Sequence, residues 1–206
     1  DRKNLSFLNY ILQDLRTNKK FLLRAKEEYA VISGSHIVCN IDYQPALSLA
    51  KEQNADIVLI GSSSISERSI NAGFTIDEDN TVTSISEDVM NGIPFLDTMV
   101  IKRELLLEWI KDDYEENILD IIKKNLHNWK VLSYEHTGYI GVISCVSNYF
   151  RCSQDLLSEQ VQNELFRSEH SVLTKLHDKN PTLLGKESKV KNSVMHSGCE
   201  IHGAIE

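Results

Sequence analysis

The spacing of apolar residues divides the first sixty residues into alternating helices and strands. Residues 4–19 carry apolar side chains with a helical period, at Leu5, Leu8, Ile11, Leu12 and Leu15. Two apolar runs of strand length follow, Tyr29–Ser33 and Ala55–Ile60, and a helix that Asp42 can cap and Pro45 can open is predicted between them. This order predicts a parallel α/β sheet with a right-handed crossover.

The rest of the chain predicts further strands and helices, followed by a change in the spacing of apolar residues. Further strands are predicted at 74–76 and 81–85, around an acidic turn, and at 95–102, 131–134 and 139–146. Helices are predicted at 104–111, 115–126 and 148–166. After about residue 180 the composition shifts, and Cys199 and Ile205 lie six apart, the period of a hexapeptide β-helix.

Composition and charge narrow the functional classes. The chain has 206 residues, of which 41% are hydrophobic and 25% are charged, as in an ordinary globular protein. Its net charge of −8 argues against a general nucleic-acid-binding protein, because the phosphate backbone would repel it. No apolar run reaches the roughly eighteen residues that a membrane span needs. The four cysteines form no C-x-x-C pair and indicate reduced thiols, which favours a cytoplasmic protein.

The loop Gly34-Ser35-His36 directly follows the first predicted strand. Open α/β sheets place ligands and catalytic groups in such loops, past the carboxyl ends of their strands. A catalytic pair of Ser35 and His36 is disfavoured, since neighbours at a strand end usually point to opposite sides and such pairs require strict geometry. We expect Ser35 to be a loop serine that caps the local backbone rather than a nucleophile.

Five stretches, taken in order, carry a resemblance to a known family: Tyr29–Tyr43, Gly73–Glu87, Thr98–Met99, Tyr139–Leu157 and Asn192–Gly203. They resemble motifs of ADP-glucose pyrophosphorylase (glucose-1-phosphate adenylyltransferase), and more narrowly of its GlgD-type subunits in bacterial glycogen synthesis. The resemblance implies a dinucleotide-binding-like, nucleotide-diphospho-sugar transferase fold with a mixed sheet, followed by a left-handed β-helix. It also implies the family reaction, in which ATP and glucose 1-phosphate give ADP-glucose and pyrophosphate.

Three departures from the family pattern fall at its active site. Members of the family hold magnesium between two aspartates, and the matching positions here are Ser35 and Val142. A hydroxyl is a far poorer magnesium ligand than a carboxylate, and valine is no ligand. Asp88 replaces the lysine that binds the sugar phosphate, which reverses the charge. The resemblance therefore implies vestigial active-site positions, no catalytic residue and no metal in this chain; a catalytic partner would hold Mg²⁺.

The expected function is that of a regulatory, catalytically deficient subunit. Gly34, His36, Glu87 and Thr98 match family positions that could still contact substrate. The expected partners are a catalytic ADP-glucose pyrophosphorylase subunit, further copies of the chain and a sugar-phosphate effector, with no nucleic acid and no membrane. The alternatives are an active nucleotidyltransferase that recruits its metal differently, a sugar-phosphate sensor, and a hexapeptide-type acyltransferase.

The resemblance also sets the expected domain organisation. Residues 1–166 would be the C-terminal part of the nucleotidyltransferase-like domain, 167–189 a linker and 190–206 the first coil of the β-helix. The Gly-rich phosphate loop that opens the family's domain is not found within residues 1–206. We therefore expect the chain to be a middle fragment of a longer protein whose β-helix continues past Glu206.

Overall fold

A computed structural model describes residues 8–65, 72–86, 92–111, 117–166, 172–173, 180–193 and 195–206. The chain forms two compact units, one of Asp1–Ile37 with Ile41–Thr137 and one of Val38–Asn40 with Gly138–Glu206. We call these the first and second units and describe each by itself. The domain boundaries expected from the sequence stay a prediction.

The helices and strands are numbered in chain order. The helices are α1 (Leu8–Thr17), α2 (Lys19–Arg24), α3 (Gln44–Glu52), α4 (Arg103–Lys111), α5 (Ile118–Lys124), α6 (Val146–Asp155) and α7 (Glu159–Leu165). The longer strands are β1 (Tyr29–Ser33), β2 (Ile37–Cys39), β3 (Ile57–Gly61), β4 (Gly73–Ile76), β5 (Val82–Ser86), β6 (Ile93–Lys102), β7 (Val131–Glu135) and β8 (Ile140–Val142). Four two-residue strands follow, β9 (Leu183–Leu184), β10 (Lys189–Val190), β11 (Glu200–Ile201) and β12 (Ala204–Ile205).

Polar side chains determine where two of the predicted helices begin and end. The first ends at Thr17 rather than Lys19, and there both the backbone N–H and the side-chain amide of Asn18 donate to the carbonyl of Asp14, at 3.0 and 2.9 Å. α3 begins where the sequence predicts, and a carboxylate oxygen of Asp42 accepts the Gln44 N–H at 2.9 Å.

The long strand β6 organises the sheet of the first unit. Its Ile101 pairs with Ala30 of β1 on one edge and with Ile57 of β3 on the other, both antiparallel. The first residues of β6 pair with β4, on the same side of β6 that β1 occupies nearer its C-terminal end. β3 also pairs with β7, in parallel. Thus β1, β3 and β7 share one direction, as the strand–helix–strand order predicts, and the mixed sheet that the resemblance implies is confirmed. The antiparallel β6 lies between β1 and β3, and the sheet is mixed.

Apolar residues on both faces of β3 account for its complete burial. All five residues of the strand are buried, as in sheets that are covered on two sides. Ile57 and Leu59 face the large core formed with α1, α4 and α5, where Trp109 packs against Trp129 with ring centroids 5.4 Å apart. This double cover holds the carboxyl end of β3 in a fixed place.

The second unit contains two short pairs of parallel strands. β9 pairs with β11 through Leu183 and Glu200, and β10 pairs with β12 through Lys189 and Ala204. Parallel pairing of segments 15–17 residues apart is the arrangement of stacked coils in a solenoid. The left-handed β-helix stays a prediction.

The other elements of the second unit are shorter than expected. The predicted strand 139–146 is β8 alone, which pairs with β2. The predicted helix 148–166 is divided into α6 and α7, with the Gln162 side-chain amide bonded to the carbonyl of Leu156 at 2.6 Å. Among the described helices, none is long and apolar enough to cross a bilayer.

Candidate functional site

The carboxyl ends of the three codirectional strands lie at one edge of the sheet in the first unit. Gly34 follows β1, a Ser-rich turn at residues 62–64 follows β3, and His136 follows β7. The backbone N–H of His136 donates to the Gly61 carbonyl at 2.9 Å, which joins the ends of β3 and β7. Because ligand sites of open α/β sheets form at this edge, it is the place to look for chemistry.

The loop after β1 is held against β6 by its glycine. Gly34 is buried, and its N–H donates to the backbone carbonyl of Asp97 at 2.9 Å. A Cβ at position 34 would lie 3.0 Å from the Cε1 of His36 and 3.1 Å from the Cβ of Asp97. Only a glycine allows so close an approach without a shift of its neighbours. Ser35, at the tip of the turn, is exposed.

Asp97 sits in a β-bulge at the middle of β6. The register with β3 jumps from Ile60 opposite Thr98 to Gly61 opposite Phe95, so the strand carries extra residues here. Asp97 takes up this irregularity with a φ of 46°, in the left-handed region that aspartate tolerates better than most residues. Bulges commonly re-aim a side chain beside a functional site.

The bulge directs the Asp97 carboxylate at the loop. Its Oδ2 lies 3.1 Å from the Nε2 of His36, and the two side chains are only 19% and 28% exposed. The contact is an ion pair whenever the imidazole is protonated, and partial burial limits its screening by solvent. Asp97 therefore holds the loop twice, through its main-chain carbonyl and through its carboxylate.

Thr98, the next residue, uses its hydroxyl inside the protein. It is 1% exposed and donates to the carbonyl of Leu96 at 2.9 Å. The Ser33 hydroxyl oxygen lies 3.0 Å from the Thr98 hydroxyl oxygen. Because the single hydroxyl proton of Thr98 already points at the Leu96 carbonyl, Ser33 must be the donor in this second hydrogen bond. Thr98 thus links the bulge to the end of β1; its predicted contact with substrate stays a prediction.

Val142 belongs to the second unit and lies in an enclosed place. It is 1% exposed in β8. A Cβ on the adjacent Gly141 would lie 2.7 Å from the Cys152 Sγ and 3.0 Å from the hydroxyl oxygen of Tyr139. That hydroxyl donates to the Asp155 carboxylate at 2.8 Å. Burial, with this hydrogen bond as a further cause, raises the pKa of the Tyr139 phenol well above its usual range.

Neither the loop after β1 nor strand β8, each taken by itself, offers the free carboxylate that the resemblance would require for magnesium. At the loop, Ser35 offers only a neutral hydroxyl, and the carboxylate of Asp97 is engaged by His36. Val142 offers no donor atom at all. Within the described ranges, no group of three or more His, Cys, Asp or Glu side chains could hold a metal ion. We therefore derive no reaction step through a metal in this chain.

Glu87, Asp88 and several other polar side chains remain to be located. Glu87 and Asp88 lie outside the described residues, as does the acidic run 112–116. His196 and His202 are exposed in the second unit, and His202 lies 3.8 Å from Glu200. The guanidinium of Arg103 donates to the Glu27 carbonyl at 2.8 Å, which is a structural contact.

Asp97 is the site residue that the sequence reasoning missed. A signal was present, because a single carboxylate interrupts the apolar run from Ile93 to Ile101. A charged residue inside a buried strand pattern suggests a bulge or a paired charge. The identity of its partner could not be predicted, because His36 is sixty-one positions away along the chain.

Comparison with known proteins agrees with the resemblance in the sequence. No family model matches the chain. It is 30% identical over 190 residues to the glycogen biosynthesis protein GlgD of Geobacillus stearothermophilus, covering 90% of this chain and 47% of that protein. It is 27% identical over 183 residues to the GlgD of Bacillus subtilis (strain 168), covering 89% and 46%. The glucose-1-phosphate adenylyltransferase of Lachnospira eligens is 24% identical over 202 residues, covering 91% and 47%.

The chain belongs to the family of GlgD proteins and glucose-1-phosphate adenylyltransferases. It spans about half the length of the curated relatives it matches. Among solved structures, HddC from Yersinia pseudotuberculosis has a TM-score of 0.54 at 12% identity, covering 76% of this chain and 64% of that one. That likeness concerns the fold, and the central mixed sheet fits a nucleotide-diphospho-sugar transferase-like architecture.

Membership of the family gives the geometry its meaning. The resemblance in the sequence matches the loop after β1 and strand β8 to the two metal-binding aspartates of the family, and this match stays a prediction. In this chain the first place holds an exposed serine beside an internal His36–Asp97 pair. The second holds a buried valine.

Proposed function

We propose that the chain is part of a regulatory, catalytically deficient subunit of glucose-1-phosphate adenylyltransferase, acting in glycogen biosynthesis in the cytoplasm. Its relatives include two GlgD proteins and several glucose-1-phosphate adenylyltransferases. The observation that carries the proposal is Val142. By the resemblance in the sequence it matches a metal-binding carboxylate of the family, and its side chain is 1% exposed.

The energetics of phosphoryl transfer explain why such a chain would be inactive. Metal ions bridge the phosphate oxygens and neutralise charge as the reaction proceeds. Loss of such electrostatic stabilisation typically costs about 3–4 kcal/mol for each important group, or factors of about a hundred to a thousand in rate. Ser35 and Val142 together remove both carboxylates, so the expected loss exceeds that of a single group.

The proposed partner is a catalytic subunit of the same family. That subunit would bind Mg²⁺ and both substrates, while this chain would associate with it and with further copies of itself. A sugar-phosphate effector would act by shifting the complex between states of different activity, which requires a coupling free energy of about 1–3 kcal/mol. The left-handed β-helix and the domain ranges 1–166, 167–189 and 190–206 belong to this proposal, with the β-helix as a contact surface.

The test is an assay of ADP-glucose synthesis with the full-length protein. The protein alone should show no synthesis above background, and its addition to the catalytic subunit should change the rate or the response to effectors. Substantial synthesis by the protein alone would refute the proposal. A catalytic subunit from an unrelated nucleotidyltransferase serves as the control for a non-specific effect.

Asp97 is the one observation that favours an active nucleotidyltransferase instead. Its carboxylate lies beside the loop that carries the metal-binding aspartate in the family. If Asp97 had taken over that role, the protein alone would make ADP-glucose and D97N would abolish the reaction. The contact with His36 argues against this, because the imidazole Nε2 already lies 3.1 Å from the carboxylate.

A further inference from the structure

The His36–Asp97 pair lies at the loop that follows β1, at the edge where open α/β sheets commonly bind ligands. The imidazole Nε2 and the carboxylate Oδ2 are 3.1 Å apart, and both side chains are largely buried. The exposed hydroxyl of Ser35 adjoins the imidazole in sequence. The loop therefore combines a cationic or hydrogen-bonding nitrogen and an exposed hydroxyl, a combination suited to phosphate oxygens.

The contact between His36 and Asp97 also prevents His36 from binding a phosphate. A hydrogen on Nε2 that points at Asp97 cannot point at a second acceptor in good geometry. The negative charge of Asp97 would repel a second anion at this short distance, and the partly buried position reduces the screening of that repulsion. An anion can bind His36 well only when the carboxylate moves away or loses its charge.

We infer that Asp97 is an internal competitor that masks an anion site on His36, so that a phosphate ester binds this loop only by displacing the Asp97 carboxylate. The bulge favours this arrangement, because the left-handed φ of 46° at Asp97 turns its side chain out of the regular strand pattern and toward the loop. The inference rests on the proposed function in one respect. It supplies a way for a sugar phosphate to be sensed at a site that lacks the family's metal ligands.

The decisive variant is D97N in the full chain. Asparagine tolerates the left-handed backbone at least as well as aspartate, so the bulge and the Gly34 hydrogen bond should persist. The amide cannot repel an anion as the carboxylate does, and as a neutral acceptor it competes more weakly than a carboxylate for the Nε2 hydrogen. D79N is the matched control, since it removes one negative charge from an exposed position in the β4–β5 turn. D97G is a second variant that also accepts a positive φ. Circular dichroism checks that each variant is folded.

Binding of inorganic phosphate and of glucose 1-phosphate is measured by titration calorimetry and by NMR. D97N should bind at least about tenfold more tightly than the original protein, a change of about 1.4 kcal/mol, whereas D79N should not differ from it. Adding H36Q to D97N should remove the gain. Tightening by phosphate alone would indicate a free-phosphate site, and tightening only by the ester would indicate a sugar-phosphate site; either result supports the inference.

Three results would overturn the inference. These are equal affinities of D97N and the original protein, a gain in D97N that survives H36Q, and no detectable binding by D97N at millimolar ligand. Mg²⁺ binding that depends on Asp97 would also overturn it, because it would assign the carboxylate to a metal. Because these titrations need no catalytic partner, they can fail while the proposed function stands, and the synthesis assay can fail while the masked site stands.

Discussion

Replacement of Val142 by aspartate should destabilise the second unit strongly instead of restoring a metal site. The side chain is 1% exposed, so the change removes about 1.5 kcal/mol of apolar burial. A carboxyl with an ordinary pKa near 3.9 that must stay neutral at about pH 7 costs about 4 kcal/mol, at 1.36 kcal/mol per pH unit. Together these terms approach the total stability of many domains, about 5–15 kcal/mol.

The matched control for this change is V142N. It loses the same apolar burial and adds a polar group of nearly the same shape, but it has no ionisable proton. Burial raises the pKa of the new carboxyl in the folded state, so the extra loss in V142D appears above about pH 4 and grows as the pH rises. Below that pH the two variants should unfold alike.

Urea unfolding followed by far-ultraviolet circular dichroism measures both variants across the pH range. We expect V142D to be several kcal/mol less stable than V142N near neutral pH. Equal stability at neutral pH would refute the reasoning, since it would mean that water or a cation reaches position 142. Such a result would also revive the possibility of metal binding in this chain.

Three further predictions concern single positions. Ser35 is exposed, so S35D should change the unfolding free energy by no more than about 0.5 kcal/mol in urea titrations and should create no Mg²⁺ site detectable by calorimetry. A Cβ on Gly61 would lie 2.6 Å from a side-chain carbon of a neighbouring isoleucine, so G61A should lower the free energy of unfolding by about 1–3 kcal/mol. G203A is the control and should lower it far less, because a Cβ there would meet nothing within 4 Å. Equal losses in urea unfolding would contradict the packing argument. Burial raises the pKa of the Cys39 thiol to about 11, so at about pH 8 iodoacetamide should modify Cys39 far more slowly than the exposed Cys145, as followed by mass spectrometry; equal rates would count against this.

The strands of the first unit show what local patterns can and cannot predict. β1 and most of β3 were predicted correctly, because a short apolar run bounded by polar residues is typical of a strand in a sheet that is covered on both faces. The place of β6 between them could not be predicted. It depends on pairing between residues as far apart as Tyr29 and Lys102, which no local pattern records.

The candidate site shows the same division. The loop Gly34–His36 was found from its position after a strand, and the close contact of Gly34 with Asp97 explains its glycine. The bulge at Asp97 arises from the mismatch of two strand registers, which exists only once the sheet is assembled. The close approach of the Cys152 sulfur in α6 to Gly141, the neighbour of Val142, likewise exists only in the folded chain.

The central place of β6 also governs the order in which the chain can fold during synthesis. β1 and β3 leave the ribosome well before β6, and each finds its antiparallel neighbour only there, up to 73 positions downstream in the pair of Tyr29 with Lys102. Until then both strands expose unpaired backbone edges of strongly apolar sequence, which are the usual templates for aggregation. A nascent chain stopped before residue 102 should therefore depend on chaperones, and one extended past that residue should gain solubility in a single step.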